Sequence, residues 1–129
     1  MNLPAGRDKL LALQEQFLKL EQVEPLICHH FANNVYGREM YLPAGCALVG
    51  KKHRYACINI IAEGTVKVAT EHGVLEFTAP YVFVSPAGTQ RAMYAVTDVT
   101  WVTCHPCQTE DLATIEKDLI DPSGSLEYK

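Results

Sequence analysis

Several groups of side chains in this sequence could do chemistry. His53 and Cys57 are separated by three residues, and a neutral imidazole with a thiolate makes a soft donor pair for zinc or another transition metal. A tetrahedral site needs more than two donors. His105, or the adjacent Cys104 and Cys107, could complete it if the last strand folds back beside the first pair. Lys51 and Arg91 could hold a small anionic ligand, because arginine offers a planar fork to carboxylate or phosphate. Each feature also has a plainer reading: His53 as a polar pocket residue, Lys51 and Arg91 as solvated surface charges.

Other groups carry less. Cys104-His105-Pro106-Cys107 has C-x2-C spacing, but it follows a predicted strand instead of opening a helix in a βαβ unit, so a thioredoxin-like role lacks its context. Adjacent histidines rarely both ligate one ion, and Cys28-His29-His30 reads as a surface linker. Trp101 and Tyr94 suit a core or interface better than a base-stacking platform. No nucleophile–base–acid constellation and no phosphate-cradling glycine loop is evident, so no catalytic residue is assigned.

The elements that must position these residues are mostly short strands. Val35 to Leu42, Tyr55 to Ile61, Thr65 to Thr70, Val74 to Phe77, Tyr81 to Val84, Arg91 to Ala95 and Val99 to Cys104 alternate or run apolar, with turn residues between them. Glu71-His72-Gly73 predicts a tight hairpin, and Arg91 to Ala95 is expected to pair with Val99 to Cys104 across Val96-Thr97-Asp98. Ahead of the strands, Leu10, Leu13, Phe17 and Leu20 form the stripe of an amphipathic helix over 7–22, closed at Pro25. Its stripe needs a partner, either the chain's own sheet or a second subunit. After them, Thr109 as N-cap and Leu112, Ile115 and Leu119 as an apolar face predict a second helix, stopped by Asp121-Pro122. Ser123 to Lys129 reads as a tail.

Bulk composition narrows the class. A chain of 129 residues, 48% hydrophobic and 20% charged, has the makeup of one soluble globular domain. The net charge of −4 argues against a dedicated nucleic-acid binder, which would carry a basic face. No run reaches the roughly 20 apolar residues that span a bilayer. The first residues lack the basic and apolar regions of a signal peptide, so a cytoplasmic location with the five cysteines as thiols is expected.

The strand region resembles the cupin superfamily. The first cupin motif, G-x5-H-x-H-x3–4-E-x6-G, is matched in spacing by Gly45, Lys51, His53, Cys57 and Gly64. The second, G-x5-P-x-G-x2-H-x3-N, is matched by Pro80, Pro86, Gly88, Arg91 and Ala95. More narrowly, the chain is similar to small cupin-like proteins of tailed phages, through the helix before the strands, Val84 to Arg91, and Trp101 to His105. Cupin metal sites use the two histidines and acid of the first motif and the histidine of the second. Those four positions here hold Lys51, His53, Cys57 and Arg91. Two obligate cations around a divalent ion are electrostatically unfavourable, so the three-His, one-Glu site is absent.

The resemblance implies an all-β fold: a cupin-type jelly-roll β-barrel with an N-terminal amphipathic helix and a short C-terminal helix. The expected layout is a helical arm and linker over 1–34, a barrel over 35–107 and a helix with tail over 108–129. The function expected is a non-enzymatic binding or accessory protein, phage-encoded, with a small-ligand pocket lined by Lys51, His53 and Arg91. The alternative is a metal-dependent cupin enzyme with an altered site around His53 and Cys57, His105 being a further candidate ligand and zinc or another transition metal the candidate ion. Exposed sheet edges favour a homodimer. One question stays open: if Ile58 and Ile60 face the core, Cys57 and Asn59 face outward and the metal reading fails.

Overall fold

The computed structural model describes residues 24–70 and 73–121. The expected N-terminal helix, His72 and the tail lie outside them. The described chain forms nine strands and one helix: β1 (Leu26–Ala32), β2 (Val35–Leu42), β3 (Ala47–Val49), β4 (Cys57–Glu63), β5 (Thr65–Thr70), β6 (Gly73–Thr78), β7 (Tyr81–Ser85), β8 (Ala92–Ala95), β9 (Val99–Pro106) and α1 (Leu112–Leu119). Strand β1 was not foreseen; it pairs antiparallel with β2 along its length, so the segment read as a linker is an edge strand.

The strands form two facing sheets, ordered β1-β2-β9-β4-β7 and β3-β8-β5-β6. This jelly-roll arrangement corrects the expectation of a closed barrel. Closure requires hydrogen-bonded strands across both seams. Every strand pairing here stays within its own sheet, leaving β1, β7, β3 and β6 as edges. The expected β8–β9 hairpin is also corrected. Strand β8 pairs with β3 and β5, whereas β9 pairs with β2 and β4, so Val96-Thr97-Asp98 carries the chain from one sheet to the other. Hydrogen bonds from the Val96 and Thr97 amides to the Thr65 carbonyl hold that crossing.

Period-two alternation decides what faces inward. Met40 and Leu42 of β2, Ile61 of β4, Val66 and Val68 of β5, and Trp101 of β9 meet in the main core. Gly64, which ends the first cupin-like motif, turns β4 into β5 with φ of 90°. A Cβ there would lie 2.0 Å from the Asp98 carbonyl oxygen, so only glycine fits. A smaller cluster of Tyr36, Cys107, Ile115 and Leu119 seats α1 against the other end of the sandwich.

Candidate metal centre

Three of the potential donors come together between the sheets. His53, Cys57 and His105 each offer a ligand atom, and the three atoms lie within 4.8 Å of one another. Cys57 opens β4, His105 lies near the end of β9, and His53 precedes β4 in the loop that carries the first motif. The open question of parity is settled by β4. Cys57, Asn59 and Ile61 are 8%, 3% and 0% exposed, while Ile58 is 47% exposed. The apolar residues at Ile58 and Ile60 therefore form the outer face, and the polar pair points in.

A polar network explains why an asparagine and a cysteine take the inner positions. Trp101 Nε1 donates to Asn59 Oδ1 at 3.0 Å, and Asn59 Nδ2 donates to Ser85 Oγ at 2.8 Å. The same amide reaches Cys57 Sγ at 3.8 Å. Arg91 Nε donates to Ser85 Oγ at 3.2 Å, and its guanidinium carbon sits 5.3 Å from the centre of the Phe83 ring. Buried polar groups are stable when so paired.

His53 is fixed by the second motif and by α1. Its amide donates to the Thr89 carbonyl at 3.0 Å, and the Gly88 amide donates to the His53 carbonyl at 2.8 Å. Gly88 holds φ of 84° in the Pro86–Thr89 turn. On the other side His53 bridges Ile120, the Arg54 amide donates to the Leu119 carbonyl and the Asp121 amide to the Lys52 carbonyl. Lys51 Nζ and Glu116 Oε1 pair at 2.5 Å, and the Tyr55 hydroxyl donates to Asp118. The C-terminal helix thus fastens the loop that presents His53.

The two imidazoles face each other with ring centres 5.3 Å apart and planes 21° from parallel. His105 Nε2 contacts Thr103 Oγ1 at 2.8 Å, which orients the ring. Burial, then the neighbouring His53, then Arg38, push the His105 pKa down to about 4. Burial and the Arg38 charge also lower that of His53. Both rings are therefore neutral near pH 7, the state that ligates metals. Burial raises the Cys57 thiol pKa, while the Asn59 contact and the Arg91 charge act in the opposite direction.

The residues fit a metal. His53 Nδ1 is buried without a hydrogen-bond partner among the described residues, so a ring nitrogen of His53 is free of competing protein bonds. Bonds of roughly 2.0–2.3 Å place tetrahedral neighbours about 3.5 Å apart, so the three side chains need close by about an ångström. Two nitrogens and one sulfur suit zinc.

The site opens into a cavity of ≈ 810 Å³ whose walls include Lys51, Arg91 and Arg38. Of the expected ligand-binding residues, Lys51, His53 and Arg91 all line it. Cys104, the alternative donor, shares its parity with outward-facing Val102 and lies on the opposite side of β9 from His105. Sequence reading missed Arg38. It stands between inward-facing Tyr36 and Met40 on β2, so a lone cation on an otherwise apolar strand face was the available signal.

No protein-family model and no curated protein matches the sequence. Solved structures do match. A cupin superfamily protein from Desulfitobacterium hafniense superposes with a TM-score of 0.58 at 10% identity, over 68% of this chain and 82% of that one. The fold is that of the cupins. A cupin-fold neighbour from Desulfovibrio desulfuricans, described as RmlC-like, has a TM-score of 0.55 at 23% identity over 64% of this chain and 83% of its own. An RmlC-like protein with a double-stranded β-helix fold from Methanocaldococcus jannaschii gives 0.56 at 10% over 70% and 86%.

Proposed function

We propose that this cupin-fold protein binds a transition metal, zinc by its donor set, through His53, Cys57 and His105, and holds a small ligand in the adjoining cavity. The observation that carries the reading is the convergence of one donor atom each from His53, Cys57 and His105 within 4.8 Å of one another. Two of the donors sit at cupin motif positions. The third, His105, comes from β9 and takes the place of ligands lost at Lys51 and Arg91. Elemental analysis of untagged protein, loaded with zinc and dialysed, should give about one equivalent, falling below about a tenth in His105→Ala. Wild-type protein retaining no zinc would remove the metal centre.

A second reading, a metal-dependent enzyme, is favoured by the count of protein donors. Three protein ligands with a fourth position left for water or substrate is the arrangement of catalytic zinc sites. A bound ion supplies Lewis acidity or a water of lowered pKa. This chain's own contribution is to hold two neutral rings, orient His105 through Thr103, and tie the His53 loop with α1.

The accessory role in a phage rests on the sequence segments that resemble phage-encoded proteins, and the genes flanking this one test it: structural or assembly genes of a phage support it, a metabolic operon contradicts it. The homodimer is proposed on the outer face of the five-stranded sheet. There Val82 and Val84 of edge strand β7 are each 63% exposed beside Ile58 of β4. A second copy laid against that edge and face covers both.

A further inference from the structure

The donors at the candidate centre are two imidazoles and one thiolate, and no fourth His, Cys, Asp or Glu joins them among the described residues. Such a set serves zinc with one position left open, and it is equally the trigonal set of copper sites that carry single electrons. Copper(II) exceeds zinc in affinity for a given set of donors, but it oxidises a thiolate wherever a second thiol can approach and form a disulfide. Here Cys57 is buried and the donor group contains no second cysteine. A lone, shielded thiolate can stay bonded to copper(II). The Asn59 amide lies 3.8 Å from Cys57 Sγ, held there by Trp101 and Ser85. Hydrogen bonding at the sulfur is one of the means by which a protein tunes a copper–thiolate potential.

The His105 ring also belongs to a run of stacked rings. Ring centres lie 5.3 Å apart from His53 to His105, 6.0 Å from His105 to Tyr36 and 5.7 Å from Tyr36 to His29, with planes 21°, 28° and 26° from parallel. Tyr36 is buried, and its hydroxyl meets His29 Nδ1 at 2.7 Å, which fixes these two rings against each other. His29 is exposed. The run joins a ligand imidazole to the surface through successive π faces. A one-electron centre uses such a route, and zinc, which has no redox chemistry, does not.

We infer that the centre takes copper and works as a one-electron carrier, with His53, Cys57 and His105 as ligands and the Tyr36–His29 stack as the route between ion and surface. The inference rests on the metal reading above and names the ion and its role. Copper(II) takes one electron from a one-electron donor outside the protein and becomes copper(I), while that donor is oxidised by one electron. The thiolate and both imidazoles stay bonded in both states, so no bond breaks and no proton moves.

Copper(II) titration of untagged, metal-free protein tests this by visible absorption and electron paramagnetic resonance, with zinc uptake measured separately. About one equivalent of copper(II) should give an intense thiolate-to-copper band that persists in air and is lost in Cys57→Ser. Hexaammineruthenium(II), a one-electron donor, should bleach that band, and ferricyanide, a one-electron acceptor, should restore it. Bleaching followed by stopped flow should slow about tenfold or more in Tyr36→Leu and keep the wild-type rate in Tyr36→Phe, which retains the ring. Copper stoichiometry reports the folding of each variant. If Tyr36→Leu takes up no copper, His29→Ala, at an exposed position, decides the route by the same slowing. Zinc uptake with copper bound but no such band overturns the inference and leaves the metal centre standing. So does spontaneous reduction of copper(II) with loss of the Cys57 thiol. Bleaching at the wild-type rate in a copper-loaded Tyr36→Leu, or in His29→Ala where that variant decides, overturns the route. Failure of both ions to bind contradicts the metal reading itself.

Discussion

At the scale of single residues, the site was partly legible. Spacing brought out His53, Cys57, Lys51 and Arg91, and His105 was reachable as a third donor only by supposing that the last strand returned beside the first motif. What one sequence could not show was the side of β4 that turns inward. Hydrophobicity favoured Ile58 and Ile60 for the core, but the Asn59–Trp101–Ser85 hydrogen bonds hold the polar parity inside instead. Two predictions belong here. Because the Cys57 thiol pKa is raised by burial, metal binding must displace its proton. Zinc affinity should therefore rise with pH across the neutral range in the wild type, by up to about tenfold per unit, and lose most of that slope in Cys57→Ala; competition titrations against a chelator measure it. In metal-free protein the folded-state pKa of His105, about 4, lies below the ordinary value of 6.5. The unfolded chain then takes up the proton first as pH falls. Stability is full above the unfolded pKa and declines through the window from 6.5 towards 4. Urea denaturation in the presence of a chelator should show a loss on the order of 2 kcal/mol between the ends of that window, flattened in His105→Phe. An equal loss in the variant would contradict the assignment.

At the scale of elements, the turns were more legible than the pairings. Glycines and prolines mark the turns because few residues fit them, whereas strand partners depend on which sheet the chain enters next. Hence β5 was read with its bounds correct, but β8 and β9 were paired across what is a crossing between sheets. Strand β1 was hidden because Cys28-His29-His30 offers no apolar alternation. Two glycines make a controlled comparison. Gly64→Ala meets the Asp98 carbonyl oxygen, while a Cβ at Gly88 meets nothing within 4 Å. Gly88→Ala should cost roughly 1 kcal/mol from backbone conformation alone, and Gly64→Ala more than about 3 kcal/mol, read by denaturant melts. Equal costs would show that the close approach at Gly64 is not a constraint. Helix α1 likewise acts through its fastening of the His53 loop. Leu119→Ala should destabilise by about 2–4 kcal/mol, and a folded variant should also bind zinc more weakly.

At the scale of the whole molecule, the jelly-roll topology was the most legible feature, because motif spacing reports the distances between turns even where the ligands have changed. Barrel closure was not legible, since it depends on seams between strands remote in sequence. No helix among the described residues is long and apolar enough to cross a membrane. The exposed face at Ile58, Val82 and Val84 carries the dimer prediction. Light scattering should give a dimer at micromolar concentration for the wild type and a monomer for Val82→Asp/Val84→Asp, both with the same zinc stoichiometry. A wild-type monomer would contradict it.

The central claim is that His53, Cys57 and His105 hold one metal ion. Cobalt(II) titration addresses it most directly, because a cobalt–thiolate bond absorbs by charge transfer and so identifies the sulfur ligand. The expected result is a charge-transfer band saturating at about one equivalent, lost in Cys57→Ser and weakened in His53→Ala and His105→Ala. A wild-type titration without the band, or a band that persists in Cys57→Ser, would contradict it.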